Sequence, residues 1–195
     1  MYLFAGPCPE PINRHMIKIY DNIIPQALCE RIIEQFNEQS SWVSHEPGWM
    51  DYLGMYRQSR GQNEHSYNWV EECRELQTLV DLCYDNYRQD YDPYSMLPHR
   101  DFLVEGYRCK RYTQNEQEFK LHIDAGTSSN CSRYLGFLMY LNNSDAATEF
   151  PLQNQLVQAR EGRMVIFPPH WQFPHRGMMP RSGDKYIVST YFCWA

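Results

Sequence analysis

The sequence predicts an α+β fold whose β half is a sandwich or jelly roll. Helical apolar spacing is confined to the part before Pro98, and after Pro98 the chain breaks into short β-branched and aromatic runs cut by turn residues. No repeat, low-complexity tract or linker interrupts the 195 residues. They are therefore read as one domain, 1–195, with a helical part to about 98 and a β core over about 99–195.

Met16 to Tyr20 is short and β-like, and Asp21-Asn22 ends it as a turn. Pro25 suits a first helical turn, and Leu28, Ile32, Ile33 and Phe36 recur at helical spacing through about Asn37. From Ser40 to His65 the pattern dissolves into aromatics mixed with glycines, Pro47, Arg57 and Arg60, an irregular segment suited to a substrate-facing lid. Trp49, Tyr56 and Arg57 are its candidate substrate contacts. Ser66 or Asn68 is placed to cap a second helix, whose stripe is Trp69, Cys73, Leu76, Val80, Cys83 and Tyr87, through about Arg88. That stripe is core packing. Asp92-Pro93 through Leu97-Pro98 breaks the helix.

The predicted strands follow: 102–112, 119–124 after a polar turn at 113–117, 133–142, a segment beginning at Glu149, 155–159, 163–167 and 185–194. The run Arg108-Cys109-Lys110-Arg111 reads as a solvated strand face.

Charge and composition exclude several classes. A net charge of −6 and a pI near 5.6 argue against nucleic acid and anionic membrane as partners. Seven cysteines without a Cys-x-x-Cys suit a reduced chain and indicate no cysteine-type zinc site. The N-terminus lacks the basic and long apolar regions of a signal peptide, and no apolar run is long enough to span a bilayer. The expected location is the cytoplasm.

The stretch Leu121-His122-Ile123-Asp124-Ala125 carries the chemistry. On a strand, His122 and Asp124 would share one face, with Leu121 and Ile123 turned to a core. An imidazole and a carboxylate so placed, joined by one more histidine, make the two-histidine, one-carboxylate site of non-haem iron, which leaves coordination positions open. With 7 His and 10 Asp in the chain, a His-x-Asp arises by chance about once in three such sequences. It occurs twice here, the other being His99-Arg100-Asp101, which reads as a loop. His170 and His175 are the histidines of the C-terminal half available as a third ligand. Lys185, ten residues after His175, is placed as a cation for the far carboxylate of a small diacid, and would share a strand face with Ile187 and Ser189.

Together these residues resemble the iron(II)- and 2-oxoglutarate-dependent dioxygenases of the prolyl 4-hydroxylase-like group. The pattern His-x-Asp, a distant His, then Lys ten residues on matches His122, Asp124, His175 and Lys185. The flanks match too: Arg111-Tyr112 before the turn, Arg133 through Leu138-x-Tyr140-Leu141-Asn142, Thr148-x-Phe150-Pro151 and Gly183-x-Lys185-Tyr186, from about Tyr107 to Phe192. Gly136 stands where the family often has threonine. The resemblance implies a double-stranded β-helix (jelly roll) core with the N-terminal helices packed on one face. It implies His122, Asp124 and His175 as ligands of Fe(II), and Lys185 and Tyr112 as the anchor of 2-oxoglutarate. Dioxygen is then the oxidant, ascorbate the expected reductant, and succinate and carbon dioxide the co-products. The implied reaction is hydroxylation of a C–H bond, first of a peptidyl proline. The alternatives are a free amino acid, another small molecule or a nucleobase, or a jelly-roll binding module without turnover. The oligomeric state is not legible.

Overall fold

In the computed structural model the described residues are 16–38, 43–44, 51–54, 69–99 and 102–195. The N-terminal part contributes strand β1 (Lys18–Tyr20), helix α1 (Gln26–Glu38), strands β2 (Val43–Ser44) and β3 (Asp51–Gly54), and helix α2 (Val70–Tyr91). The C-terminal part is β4 (Phe102–Val104), β5 (Arg108–Tyr112), β6 (Phe119–His122), β7 (Arg133–Tyr140), β8 (Thr148–Phe150), β9 (Gln155–Val157), β10 (Met164–Phe167), β11 (His175–Gly177) and β12 (Lys185–Trp194).

Two antiparallel sheets form from these strands. The larger runs β1-β10-β7-β12-β5-β3-β2, with β4 also paired to β12, and the smaller runs β6-β11-β8-β9. β7 and β12 lie at the centre of the larger sheet and are buried along almost their whole length. Covered on both faces, they read as continuous apolar runs instead of alternating ones. Val188, Phe192, Met139 and Cys109 turn outward to a core shared with Leu28, Ile32 and Phe36 of α1 and Leu76, Val80 and Tyr84 of α2. Tyr112, Leu138, Tyr140, Ile187 and Phe167 turn inward, to a second core with Phe150, Val157 and Phe173. The jelly roll and its helix-covered face stand as expected.

Several local expectations are corrected. The span 40–65 is not wholly irregular: β2 and β3 form a hairpin, and β3 pairs with β5. Trp49, Tyr56 and Arg57, the rest of that segment, and the capping candidates Ser66 and Asn68 lie outside the described residues. At the start of α2 the capping position is Trp69, in a left-handed conformation (φ 80) without a side-chain cap. Glu71 and Glu72 in the first turn instead compensate the positive end of the helix. The strand read over 102–112 is two, β4 and β5, separated by Glu105–Tyr107, and His175 lies on a short strand of its own. Leu121 does not face a core: it is 57% exposed. Lys110 belongs to no solvated face; it is 8% exposed.

One glycine ties the N-terminal strand to the sheet. Gly162 has φ +75, and a Cβ there would lie 2.7 Å from the Ile24 carbonyl oxygen. Its own carbonyl accepts hydrogen bonds from Ile23 and Ile24, so β1 and the entry to α1 are tied to the turn before β10.

Candidate metal centre

His122 ends β6 and His175 begins β11, and the two are directly paired across the smaller sheet. The register shifts between His175 and Gly177, where three residues of β11 oppose four of β6, from Phe119 to His122. That bulge turns Phe119 and His122, three apart in sequence, to the same inner face, where their rings stack at 3.8 Å. Asp124 lies just beyond the strand, in a bend held by main-chain bonds. Its amide and that of Ala125 donate to the Pro169 carbonyl, and its own carbonyl accepts from Arg133 Nη1 at 2.7 Å. Arg133 is itself fixed by two 2.7 Å bonds to Glu105 and lies 3.9 Å over the Tyr191 ring.

The three side chains converge. Nδ1 of His122 faces the Lys120 carbonyl at 2.7 Å and Nδ1 of His175 faces the Phe173 carbonyl at 3.2 Å. A carbonyl can only accept, so each ring keeps its N–H at Nδ1 and turns Nε2 towards Asp124. These Nε2 atoms lie 3.4 and 3.2 Å from the two carboxylate oxygens. His122 Nε2 and Asp124 Oδ2 are nonetheless buried without a hydrogen-bond partner of good geometry. Burial pulls the Asp124 carboxyl up, but the imidazoles of His175 and His122, when protonated, pull harder and hold it well below the usual carboxylate range. It is an anion.

One ligand atom from each residue lies within 4.8 Å of the others, the one such group of metal-ligating residues among those described. Adjacent donors on an octahedral ion, each about 2.1 Å from it, are about 3 Å apart. The observed spacings fit a single ion. Two neutral nitrogens and one carboxylate suit Fe(II) and leave three positions open. His170 takes no part: it sits half-buried in the turn before His175, its carbonyl accepting from Phe173. His99 is exposed and belongs to no such group among the described residues.

The cavity at this centre extends between the two sheets, past Tyr112 and Ser189 of the larger and Thr148 of the smaller. Lys185 opposes Tyr112 across β12 and β5, with Nζ 4.2 Å above the phenol ring. It is 1% exposed, and Nζ donates to the Met178 carbonyl at 3.1 Å. Burial drives its pKa down to about 7, against a small opposing pull from Asp145. Tyr112 passes so close to β11 that a Cβ on Gly177 would lie 3.2 Å from its hydroxyl. Ser189 Oγ is buried and unpartnered, whereas the Thr148 hydroxyl accepts from Tyr140 at 2.7 Å. A buried cation, a phenol and a free hydroxyl on one wall form a receptor for a carboxylate. Sequence reasoning missed Lys110, Thr148 and Tyr191 as lining residues; alternation along β5 and β12, where they share a face with Tyr112 and Lys185, was the signal for Lys110 and Tyr191.

Residues 107–193 match the sequence profile of the 2OG-Fe(II) oxygenase superfamily. None of the curated protein sequences matches the chain. Among solved structures, a viral collagen prolyl hydroxylase from Paramecium Bursaria Chlorella virus-1, in complex with 2OG, superposes with a TM-score of 0.68 at 14% identity, covering 97% of this chain and 100% of that one. A prolyl-4-hydroxylase of Pseudomonas putida gives 0.65 at 13%, covering 93% and 94%. A prolyl hydroxylase of Trichoplax adhaerens, bound to a hypoxia inducible factor peptide fragment, gives 0.67 at 14%, covering 93% and 85%. At such identities the likeness establishes the fold.

Proposed function

Residues 107–193 are a 2OG-Fe(II) oxygenase domain, and from that premise we propose that the chain hydroxylates a C–H bond of a prolyl residue in a peptide. The enzyme is a 2-oxoglutarate-dependent dioxygenase; the assignment of residues and substrate is our reading. The observation that carries it is the convergence of His122, Asp124 and His175 on one point, beside a buried lysine that no carboxylate neutralises among the described residues.

In this reading the two Nε2 atoms and the Asp124 carboxylate hold Fe(II). Bound there with 2-oxoglutarate and dioxygen, the iron supplies oxidative decarboxylation to succinate and carbon dioxide and the delivery of one oxygen atom to the substrate. The chain's own part is positional. Arg133 fixes the Asp124 backbone, and the carbonyls of Lys120 and Phe173 fix the two rings. Lys185 and Tyr112 receive the distal carboxylate of 2-oxoglutarate, which gives the buried ammonium its missing counter-charge. Phe119 stacks on His122 and Phe150 and Phe167 flank His175 at 5.3 and 4.8 Å, so the ligands sit in an aromatic, water-poor wall. Ascorbate is the natural reductant for keeping the iron ferrous between turnovers. The described chain acts as one catalytic domain, its helices bracing the sheet that carries Lys185 and Tyr112.

The support for proline is the resemblance of the motif set together with the prolyl hydroxylase activity of the three structural neighbours. The test incubates proline-rich peptides with Fe(II), 2-oxoglutarate and ascorbate, and reads peptide mass and succinate. One added oxygen on a prolyl peptide, lost in His175→Ala, is the expected outcome. Succinate formation stimulated by small molecules, with no oxygenated peptide across a broad library, would replace proline by another substrate.

A further inference from the structure

A second buried cation lines the cavity beside the metal centre, and the proposed chemistry gives it nothing to do. Lys110 lies in the middle of β5, opposite Ile187, one step along the same face from the Tyr112–Lys185 pair. It is 8% exposed, and Nζ lies 5.3 Å over the Phe119 ring, the ring that stacks on His122. Among the described residues, Nζ has no hydrogen-bond acceptor and no carboxylate at ion-pair distance. Burial lowers its pKa to about 8, with a compensating pull from Asp124, so it is mainly charged at neutral pH. The side chain is aimed into the cavity shared with His122, Asp124 and His175.

Charge balance identifies what is missing, on the reading of the site given above. Asp124 and the cosubstrate's near carboxylate offset the divalent ion, the far carboxylate offsets Lys185, and Arg133 is paired with Glu105. Among the described residues, Lys110 then remains as one uncompensated positive charge lining the cavity, a costly state unless a partner arrives. The cosubstrate's far carboxylate already has Lys185 and Tyr112. The remaining anion must come from the molecule that is oxidised.

We propose that the substrate carries a carboxylate next to the C–H bond that is oxidised, and that Lys110 binds it and so determines specificity. The carboxylate has two sources, a free amino or carboxylic acid or an Asp or Glu side chain beside the target residue of a peptide. This rests on the iron and 2-oxoglutarate reading and narrows it. Lys110 touches substrate and neither ligates the metal nor anchors the cosubstrate.

The experiment measures binding without turnover. Wild type, Lys110→Met, Lys110→Gln and Lys110→Arg are loaded anaerobically with Fe(II) and 2-oxoglutarate, and the visible charge-transfer band reports cosubstrate affinity. Calorimetry then compares ligand pairs that differ by one charge: L-proline with prolinamide, and proline-containing peptides with Glu against Gln beside the proline. In wild type and Lys110→Arg, one pair should favour the acid by about ten-fold or more. In Lys110→Met and Lys110→Gln the ratio should fall to about one while cosubstrate affinity changes little. Preference in the first pair identifies a small acid, and in the second an acidic peptide. An unchanged ratio in both apolar and amide variants overturns the proposal, as does equal binding of acid and amide by wild type. So does a loss of 2-oxoglutarate affinity in the variants, which would assign Lys110 to the cosubstrate. Absence of the band in wild type instead brings down the iron and 2-oxoglutarate reading itself.

Discussion

Lys185 shows how a residue can weaken the fold it serves. Its ammonium is taken out of water and given one carbonyl and the face of a phenol ring, with no carboxylate at hand among the described residues. Desolvating a charge costs more than such partners return. The cost is recovered when a dianion arrives, and the site is thereby selective for one. Lys185→Met keeps the length and removes the charge. The metal-free variant should be more stable than wild type by about 1–2 kcal/mol, or roughly 2–8 °C in Tm. Its affinity for 2-oxoglutarate should fall by about 30-fold or more, since truncating one partner of a buried charge pair costs about 2 kcal/mol or more. Thermal melts and anaerobic titrations check the two halves. A variant destabilised in the absence of ligand, or one binding 2-oxoglutarate normally, removes Lys185 from this role.

At the scale of elements, the short smaller sheet decides where the ligands point. A plain strand through Leu121-His122-Ile123-Asp124 turns His122 and Asp124 one way and the two apolar residues the other. In this fold the polar face is the interior, because the interior is the site, and Leu121 is left on the outside of edge strand β6. Leu121→Gln should therefore change stability by no more than about 0.5 kcal/mol in urea denaturation. A loss of about 2–5 kcal/mol, as for a core leucine, would restore the simpler picture. This also shows what the sequence could and could not disclose. β7, β10 and β12 were legible because strands buried on both faces are apolar throughout. His122, Asp124, His175 and Lys185 were legible because their spacing is fixed by the chemistry. Lys110 was misread because a basic run looks the same whether the strand faces water or a cavity. Only its register against Ile187 reveals the difference. The hairpin of β2 and β3 was missed for a similar reason: its pairing partner β5 lies more than fifty residues away, and short strands among glycines carry little periodicity of their own.

Across the whole molecule, the buried lysines and buried thiols set opposing pH dependences. Lys185 and Lys110 have folded-state pKa values of about 7 and about 8, against 10.5 for free lysine. Between those limits the unfolded chain binds more protons than the folded one, so stability rises with pH. Each group contributes at most about 1.4 kcal/mol per pH unit. The thiols act in reverse. Burial raises Cys29 and Cys83 to about 11 and Cys73 to about 12 from 9.0, and Cys109 further still. Their contribution is fully present below pH 9 and is lost as pH climbs through the folded values, because the unfolded thiols ionise first. Four thiols outweigh two lysines, so the metal-free protein should gain stability from about pH 7 to a maximum near pH 9, then lose it. Urea denaturation at several pH values measures this. Saturating metal and 2-oxoglutarate should flatten the rise, since the cosubstrate's carboxylate holds the proton on Lys185. A metal-free protein whose stability is flat or falling between about pH 7 and 9 would mean that the two ammonium groups are solvated or already paired, and with that both the 2-oxoglutarate anchor and the carboxylate-binding role of Lys110 would lose their electrostatic basis.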